Sequence, residues 1–243
     1  LGNKLEDIVR IYIGFDPVES VAFHVCAESI IRNSSKPVSI TPLYLPHFKD
    51  YKETHQGSNQ FIHSRFLIPH LDNHNGFSIF MDGDMVVTGD IAELWEMRDP
   101  RMAVQVVKHD YTTKYPKKYL GASNVDYPCK NWSSVMIFNS GSMINRHLTP
   151  EYVMQASGKE LHRFEWIEDR NRIGEIPNDW NWLVSEYPRN DRAKLYHWTI
   201  GTPCFEKDDV MDYKKQDHVL EWNKYYASAI YPMRTHPGMA SDL

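Results

Sequence analysis

Apolar residues fall along this 243-residue chain in short blocks divided by polar punctuation, the pattern of an α/β protein. Residues 8–15 are a β-rich run cut off by Asp16 and Pro17, which predicts a first strand ending in a turn. Val21, Ala22, Val25, Cys26 and Ile30 then recur at helical spacing across 18–32, and the polar stretch 33–37 closes that helix. Residues 38–45 offer a second strand. Strand, helix, strand is the opening of a nucleotide-binding α/β half, with Gly14, Phe15 and Asp16 at the first strand's carboxyl end. No glycine-rich phosphate loop follows, and Asp16 reads equally as a ligand or as a cap before Pro17.

Residues 46–59 are polar and aromatic without periodicity and carry His47, Lys49, Lys52 and His55, which predicts a loop. A helix is expected over 61–71, ended or kinked by Pro69. Residues 77–81 form an apolar run that stops at Asp82, Gly83 and Asp84. A short buried strand delivers its ligands at its carboxyl end. Two carboxylates at i and i+2 of an extended segment point the same way, with Gly83 allowing close backbone approach. Hard oxygen ligands so placed suit Mg²⁺ or Mn²⁺ shared with a phosphate; an ordinary Asp-Gly turn is the competing reading.

A capped helix follows at 90–95, a strand at 102–107 and a long loop at 109–133, and 135–138 is the next strand, broken by Asn139, Ser140 and Gly141. Small polar residues there suit either a sugar pocket or a bulge. The pattern continues with a helix at 150–157, a strand at 173–177, a last strand at 195–198 and a helical tail at 208–230. Trp180 and Trp182, set among amides and Asp179, resemble a carbohydrate-facing surface or a core edge.

A hydrophobic content of 42% allows a large core, and the length fits one domain. A net charge of −5 with scattered Lys and Arg argues against nucleic acid as a partner. Three widely spaced cysteines suggest neither a disulfide framework nor a zinc cluster. Without an apolar stretch long enough for a membrane span or signal core, the expectation is a soluble protein of a reducing, cytoplasmic compartment. The oligomeric state is left open.

Phe80 to Asp84 resembles the Asp-x-Asp motif of nucleotide-sugar glycosyltransferases with the GT-A fold, and the order of elements from Ile8 to Phe205 is similar to family 8 or a close relative. The resemblance implies a single GT-A domain with a Rossmann-like nucleotide-binding half and a mixed central sheet, divided into a nucleotide- and metal-binding half (1–108), a sugar and acceptor half (109–206) and a C-terminal helical tail (207–243). It implies a metal, Mn²⁺ or Mg²⁺, held by Asp82, Asp84 and His197. The strand ending at Asp16 would hold the base, Arg65 would reach the diphosphate or sugar, and Gly201 and Thr202 would offer backbone N–H groups to the diphosphate. Asn139, Ser140 and Gly141 would line the sugar site. The reaction implied is hexose transfer, with retention, from a UDP-sugar to a glycan or other hydroxyl acceptor.

Two departures stand out. The family's lysine after the histidine motif is missing from the run Gly201-Thr202-Pro203-Cys204-Phe205, for which Lys207 or the loop lysines are possible substitutes, and no Asp-Gln pair is evident near the reacting sugar. Glu165, Asp169 and Asp179 are the carboxylates available as nucleophile or base. Asp82-Gly83-Asp84-Met85-Val86 also fits the nucleophile motif of haloacid-dehalogenase-type phosphatases, but there the nucleophile strand usually comes first in the core. A non-catalytic carbohydrate-binding module is the third reading, and it would need no metal pair.

Overall fold

A computed structural model describes residues 7–49, 51–52 and 60–231. In chain order the elements are β1 (Val9–Gly14), α1 (Ser20–Arg32), β2 (Val38–Leu43), α2 (Ile68–Leu71), β3 (Phe77–Met81), β4 (Met85–Val87), α3 (Ile91–Glu96) and β5 (Val104–Val106). They continue with β6 (Val135–Asn139), α4 (Pro150–Gln155), α5 (Gly158–His162), β7 (Ile173–Glu175), β8 (Trp182–Leu183), β9 (Leu195–His197) and α6 (Val219–Ile230). His55 lies outside the described residues.

Six strands form one mixed sheet in the order β2-β1-β3-β6-β5-β7. β1 runs parallel to β2 and β3, β6 runs antiparallel to β3 and β5, and β7 is parallel to β5. Successive side chains of a strand face opposite ways, and the core divides accordingly. Val9, Ile11, Ile13, Ile79, Met81, Val135 and Ile137 pack with Phe23, Cys26 and Ile30 of α1 and Ile91, Leu94 and Trp95 of α3. Phe80, Met136, Phe138, Val104 and Val106 face the other way, onto Phe66, Ile68, Val153 and Leu161 from around α2, α4 and α5. The result is a helix, sheet, helix sandwich that buries both faces of the sheet.

A three-stranded sheet, order β4-β9-β8, was not predicted. Its Val86, Tyr196 and Trp198 pack with Ala22 and Val25 of α1 and with Trp222 and Tyr225 of α6. The tail expected as one helix is a 3-10 turn (Tyr213–Lys215) followed by α6. The helix expected at 61–71 begins as a 3-10 turn (Ser64–Leu67), and Pro69 stands in the first turn of α2 instead of ending it, where its missing N–H costs nothing. All three cysteines are free, and among the described residues no helix is long and apolar enough to cross a membrane.

Candidate active site

Asp82 and Asp84 stand where the chain leaves one sheet for the other. Asp82 N–H extends the β3–β6 ladder by donating to Ser134 O at 3.0 Å, and β4 then begins at Met85. β4 pairs antiparallel with β9, Met85 opposite His197, and Trp198 N–H donates to Asp84 O at 3.1 Å. This pairing brings together residues more than a hundred positions apart in sequence. Two glycines make the junction possible: a Cβ on Gly83 would lie 2.7 Å from the Gly14 carbonyl oxygen, and one on Gly14 would clash with the Phe61 ring, 2.3 Å from its nearest atom.

Among the described residues, Asp82, Asp84 and His197 form a group whose ligand atoms lie within 4.8 Å of one another. His197 Nε2 is 3.3 Å from Asp84 Oδ1 and 3.9 Å from Asp82 Oδ2, and the ring is only 2% exposed. Buried Asn181 sets the ring's orientation. Its Nδ2 donates to Ser134 Oγ at 2.8 Å, which leaves Oδ1 to accept from His197 Nδ1 at 2.9 Å. Nε2 therefore faces the two carboxylates, the arrangement in which a hydrogen bond to the other ring nitrogen fixes a metal-binding imidazole. Two carboxylate oxygens and one imidazole nitrogen this close together fit a divalent metal ion.

Behind the aspartates, Arg65 is 4% exposed, and its Nη1 lies 2.7 Å from Asp82 Oδ1 and 2.9 Å from Ser133 O. Its guanidinium also lies over the Phe80 and Phe61 rings. Arg65 thus buttresses Asp82 from the protein side instead of reaching into the cavity.

In front of the aspartates is a cavity of about 100 Å³, also lined by Glu19, Phe61, Lys118, Tyr119, Asn131 and Thr199. It is roofed by a strap of the long loop, where Lys117 and Ser123 form a bridge. Tyr119 N–H donates to Ile200 O at 2.8 Å, its hydroxyl donates to Glu19 Oε2 at 2.7 Å, and its ring stacks on Phe205. Burial, reinforced by Asp84, pushes the Glu19 carboxyl up to about 8. Burial likewise pushes Asp82 up to about 6, against the pull of Arg65. Lys118 is held below the usual lysine range by burial, while Asp84, Asp82 and Glu19 oppose that shift.

The other sequence candidates lie elsewhere or have other duties. Register sets Asn139 opposite Phe77, at the far end of β3 from Asp82, because β6 runs antiparallel and presents its beginning, not its end, to the cleft. Ser140 Oγ there donates to Asp72, and Asn139 Nδ2 donates to Pro100 O and Met102 O. At the cleft end of β6 stand Ser133 and Ser134, both buried, their hydroxyls engaged with His162 Nδ1 and Asn131 O. Trp180 is 1% exposed and packed in the core, so it presents no face to a glycan. Asp16 caps the turn before α1, accepting from Val18 N–H and, through its second oxygen, from Gln60 N–H. Phe15 packs edge-on against Phe23 and Tyr44.

Gly201 N–H is committed to Trp198 O, and Thr202 Oγ1 pairs with Cys204 Sγ. Glu165 and Asp169 are exposed, Asp169 capping a 3-10 turn, and Asp179 is half-buried beside Asn190. None of the three lines the cavity. Sequence reasoning missed Glu19, Lys118, Tyr119, Asn131, Asn181 and Thr199. Of these, only Asn181 had a signal, an amide two residues from a carboxylate and flanked by tryptophans.

The profile described as Glycosyl transferase family 8 matches residues 12–202. Protein CDI of Arabidopsis thaliana is 41% identical over 215 residues, an alignment covering 84% of this chain and 83% of that protein. Among solved structures, the bifunctional glycosyltransferase WbbM superposes with a TM-score of 0.63 at 15% identity, over 93% of this chain and 51% of that one, so this chain spans about half of WbbM. The galactosyltransferase LgtC, solved with donor and acceptor sugar analogues, superposes with a TM-score of 0.54 at 10% identity, over 93% and 98% of the two chains. With the mixed sheet and its aspartate pair, these matches make the chain a glycosyltransferase of the GT-A fold that belongs to glycosyl transferase family 8.

Proposed function

We propose that this chain transfers a hexose from a nucleoside-diphosphate sugar, with a UDP-sugar as the first candidate, to a hydroxyl of a glycan or other acceptor, in a Mn²⁺- or Mg²⁺-dependent reaction with retention. The observation that carries this reading is the convergence of Asp82, Asp84 and His197, with Nδ1 of the histidine already committed to Asn181. Family membership sets aside the phosphatase and the non-catalytic binding module.

Breaking the anomeric C–O bond leaves negative charge on a diphosphate while the sugar gains oxocarbenium character. A bound divalent ion supplies Lewis-acid stabilisation of that charge. The protein's own contribution is electrostatic. Lys118 is a lysine that lines the cavity, whereas Lys207 is exposed, so we assign to Lys118 the cationic role that the segment after His197 lacks. Arg65 and Asn181 hold Asp82 and His197 in place. We read the course as attack by the acceptor hydroxyl on the face the diphosphate leaves, a reading supported by the position of Glu165, Asp169 and Asp179 outside the cavity.

A cavity of about 100 Å³ is smaller than the roughly 300–1,000 Å³ of small-molecule sites. Donor entry in this reading therefore requires the 117–123 strap to move. The test is release of nucleoside diphosphate from a panel of UDP- and GDP-sugars with Mn²⁺ and with chelator. Metal-dependent release from one donor is expected; no release from any donor, with or without Mn²⁺, contradicts the reading.

A further inference from the structure

We propose that Glu19 is a donor-binding residue that takes a vicinal diol, and that the Tyr119 hydroxyl holds its place in the unliganded protein. The inference rests on the proposed use of a nucleoside-diphosphate sugar. Glu19 ends the short 3-10 turn (Pro17–Glu19) before α1, is 9% exposed and faces the cavity shared with Asp82, Asp84 and His197. Oε2 accepts from the Tyr119 hydroxyl at 2.7 Å, while Oε1 is buried and has no hydrogen-bond partner among the described residues. A buried acceptor left unpaired is costly, so one that persists in a cavity marks a place where a ligand donor belongs.

Chemistry narrows the ligand. An acidic side chain beside two further carboxylates is a poor partner for phosphate, and the positive charge for a diphosphate lies with the metal site and Lys118. What a carboxyl accepts well is O–H, and an acidic side chain holding a ribose hydroxyl is a recurrent solution in α/β nucleotide sites. The strap that supplies Tyr119 must leave for a nucleotide-sugar to enter. Its departure frees Oε2 beside the already free Oε1. The two adjacent oxygens then match the two hydroxyls of a vicinal diol, which replaces one hydrogen bond with two.

The strap is built for such an exchange. It is tied down by the Lys117–Ser123 bridge, the Tyr119–Ile200 bond and the stacking on Phe205, and Leu120 at its tip stands 74% exposed. Its seat is close: a side chain at Gly201 would run into Tyr213 and the Tyr119 Cβ.

The diol has two sources in a nucleotide-sugar, the ribose and the hexose, and calorimetric titration in Mn²⁺ separates them. UDP against 2′-deoxy-UDP reads the ribose, and UDP-glucose and UDP-galactose against UDP read the hexose; GDP and its 2′-deoxy form extend the first pair. In the wild type we expect a preference of about tenfold within one of these pairs, the cost of one lost hydrogen bond. Glu19→Ala should erase that preference while Mn²⁺-dependent UDP binding persists. Tyr119→Phe should keep the preference and bind every probe more tightly, because the internal competitor is gone. Equal ratios in the wild type and Glu19→Ala, in both pairs, overturn the assignment, and weaker binding by Tyr119→Phe overturns the exchange. Absence of any Mn²⁺-dependent nucleotide binding by the wild type overturns the transferase reading and this inference with it, an outcome distinct from binding with unchanged ratios.

Discussion

The two ends of β3 carry much the same kinds of residue and do opposite things with them. At the amino end, Asp72 accepts from the Tyr12 hydroxyl at 2.9 Å and from the Ser78 and Ser140 hydroxyls at 2.7 and 2.5 Å. Asn145 beside it donates to Ala103 O and Asn139 O and accepts from Trp166 Nε1. At the carboxyl end, Glu19 keeps an unpaired buried oxygen, and Asp82 and Glu19 are pushed up to about 6 and 8 by burial. The polar network at one end is closed on itself and stabilises the fold; the other end is open and waits for cations and donors. Residue type alone does not separate the two, whereas hydrogen-bond satisfaction does.

Breaking the open end should cost activity and little stability. Lys118→Ala is expected to lower the turnover number for nucleoside-diphosphate release about 100-fold, with Lys118→Arg recovering part of it; an unchanged turnover number removes the ammonium from the reaction. Asn181→Ala should weaken Mn²⁺ about 10- to 100-fold, read by titrating Mn²⁺ against activity. Asn181→Asp, which retains an acceptor for His197 Nδ1–H, should recover part of that loss.

Breaking the closed end should do the reverse. Asp72→Ala leaves the Tyr12 and Ser140 hydroxyls without their acceptor and Ser78 Oγ with Phe77 O alone, so urea unfolding should show a loss of about 1–3 kcal/mol with nucleotide binding intact. The smallest effect sharpens the comparison through pH. Because Glu19 has a folded value near 8, above the ordinary carboxylate value, the native state retains a proton that the unfolded chain gives up. Its contribution is full at acid pH and lost as pH rises from the ordinary range through 8. The wild-type melting temperature should therefore fall relative to that of Glu19→Gln between about pH 5 and 8, and parallel curves would show that Glu19 is not held protonated.

Period and punctuation were enough to read β1, α1, β2, β3 and β6, because buried strands and amphipathic helices write their burial into local sequence. The aspartate pair was legible for the same reason, standing where an apolar strand stops. His197 was reached through the family resemblance, and the register of β4 against β9 is what carries it to the aspartates. The direction of β6 was not legible. Val135 to Phe138 reads alike in parallel and antiparallel sheets, and the wrong end of that strand was expected at the sugar site. Trp180 was ambiguous because an indole among amides looks the same at a core edge and on a glycan platform. Glu19 and Lys118 carried no local signal. The first sits in the turn before a helix and the second in a loop among other lysines, and only tertiary packing makes either unusual.

The central claim is that Asp82, Asp84 and His197 form a metal site for a diphosphate, and calorimetric titration of UDP and GDP in Mn²⁺ and in chelator tests it most directly, on the wild type and Asp84→Asn. Binding of one nucleotide is expected to need Mn²⁺ and to fall at least about 100-fold in the variant, in keeping with the loss of a direct ligand, while the fold survives. Nucleotide binding of equal strength in chelator, or in Asp84→Asn, would contradict it.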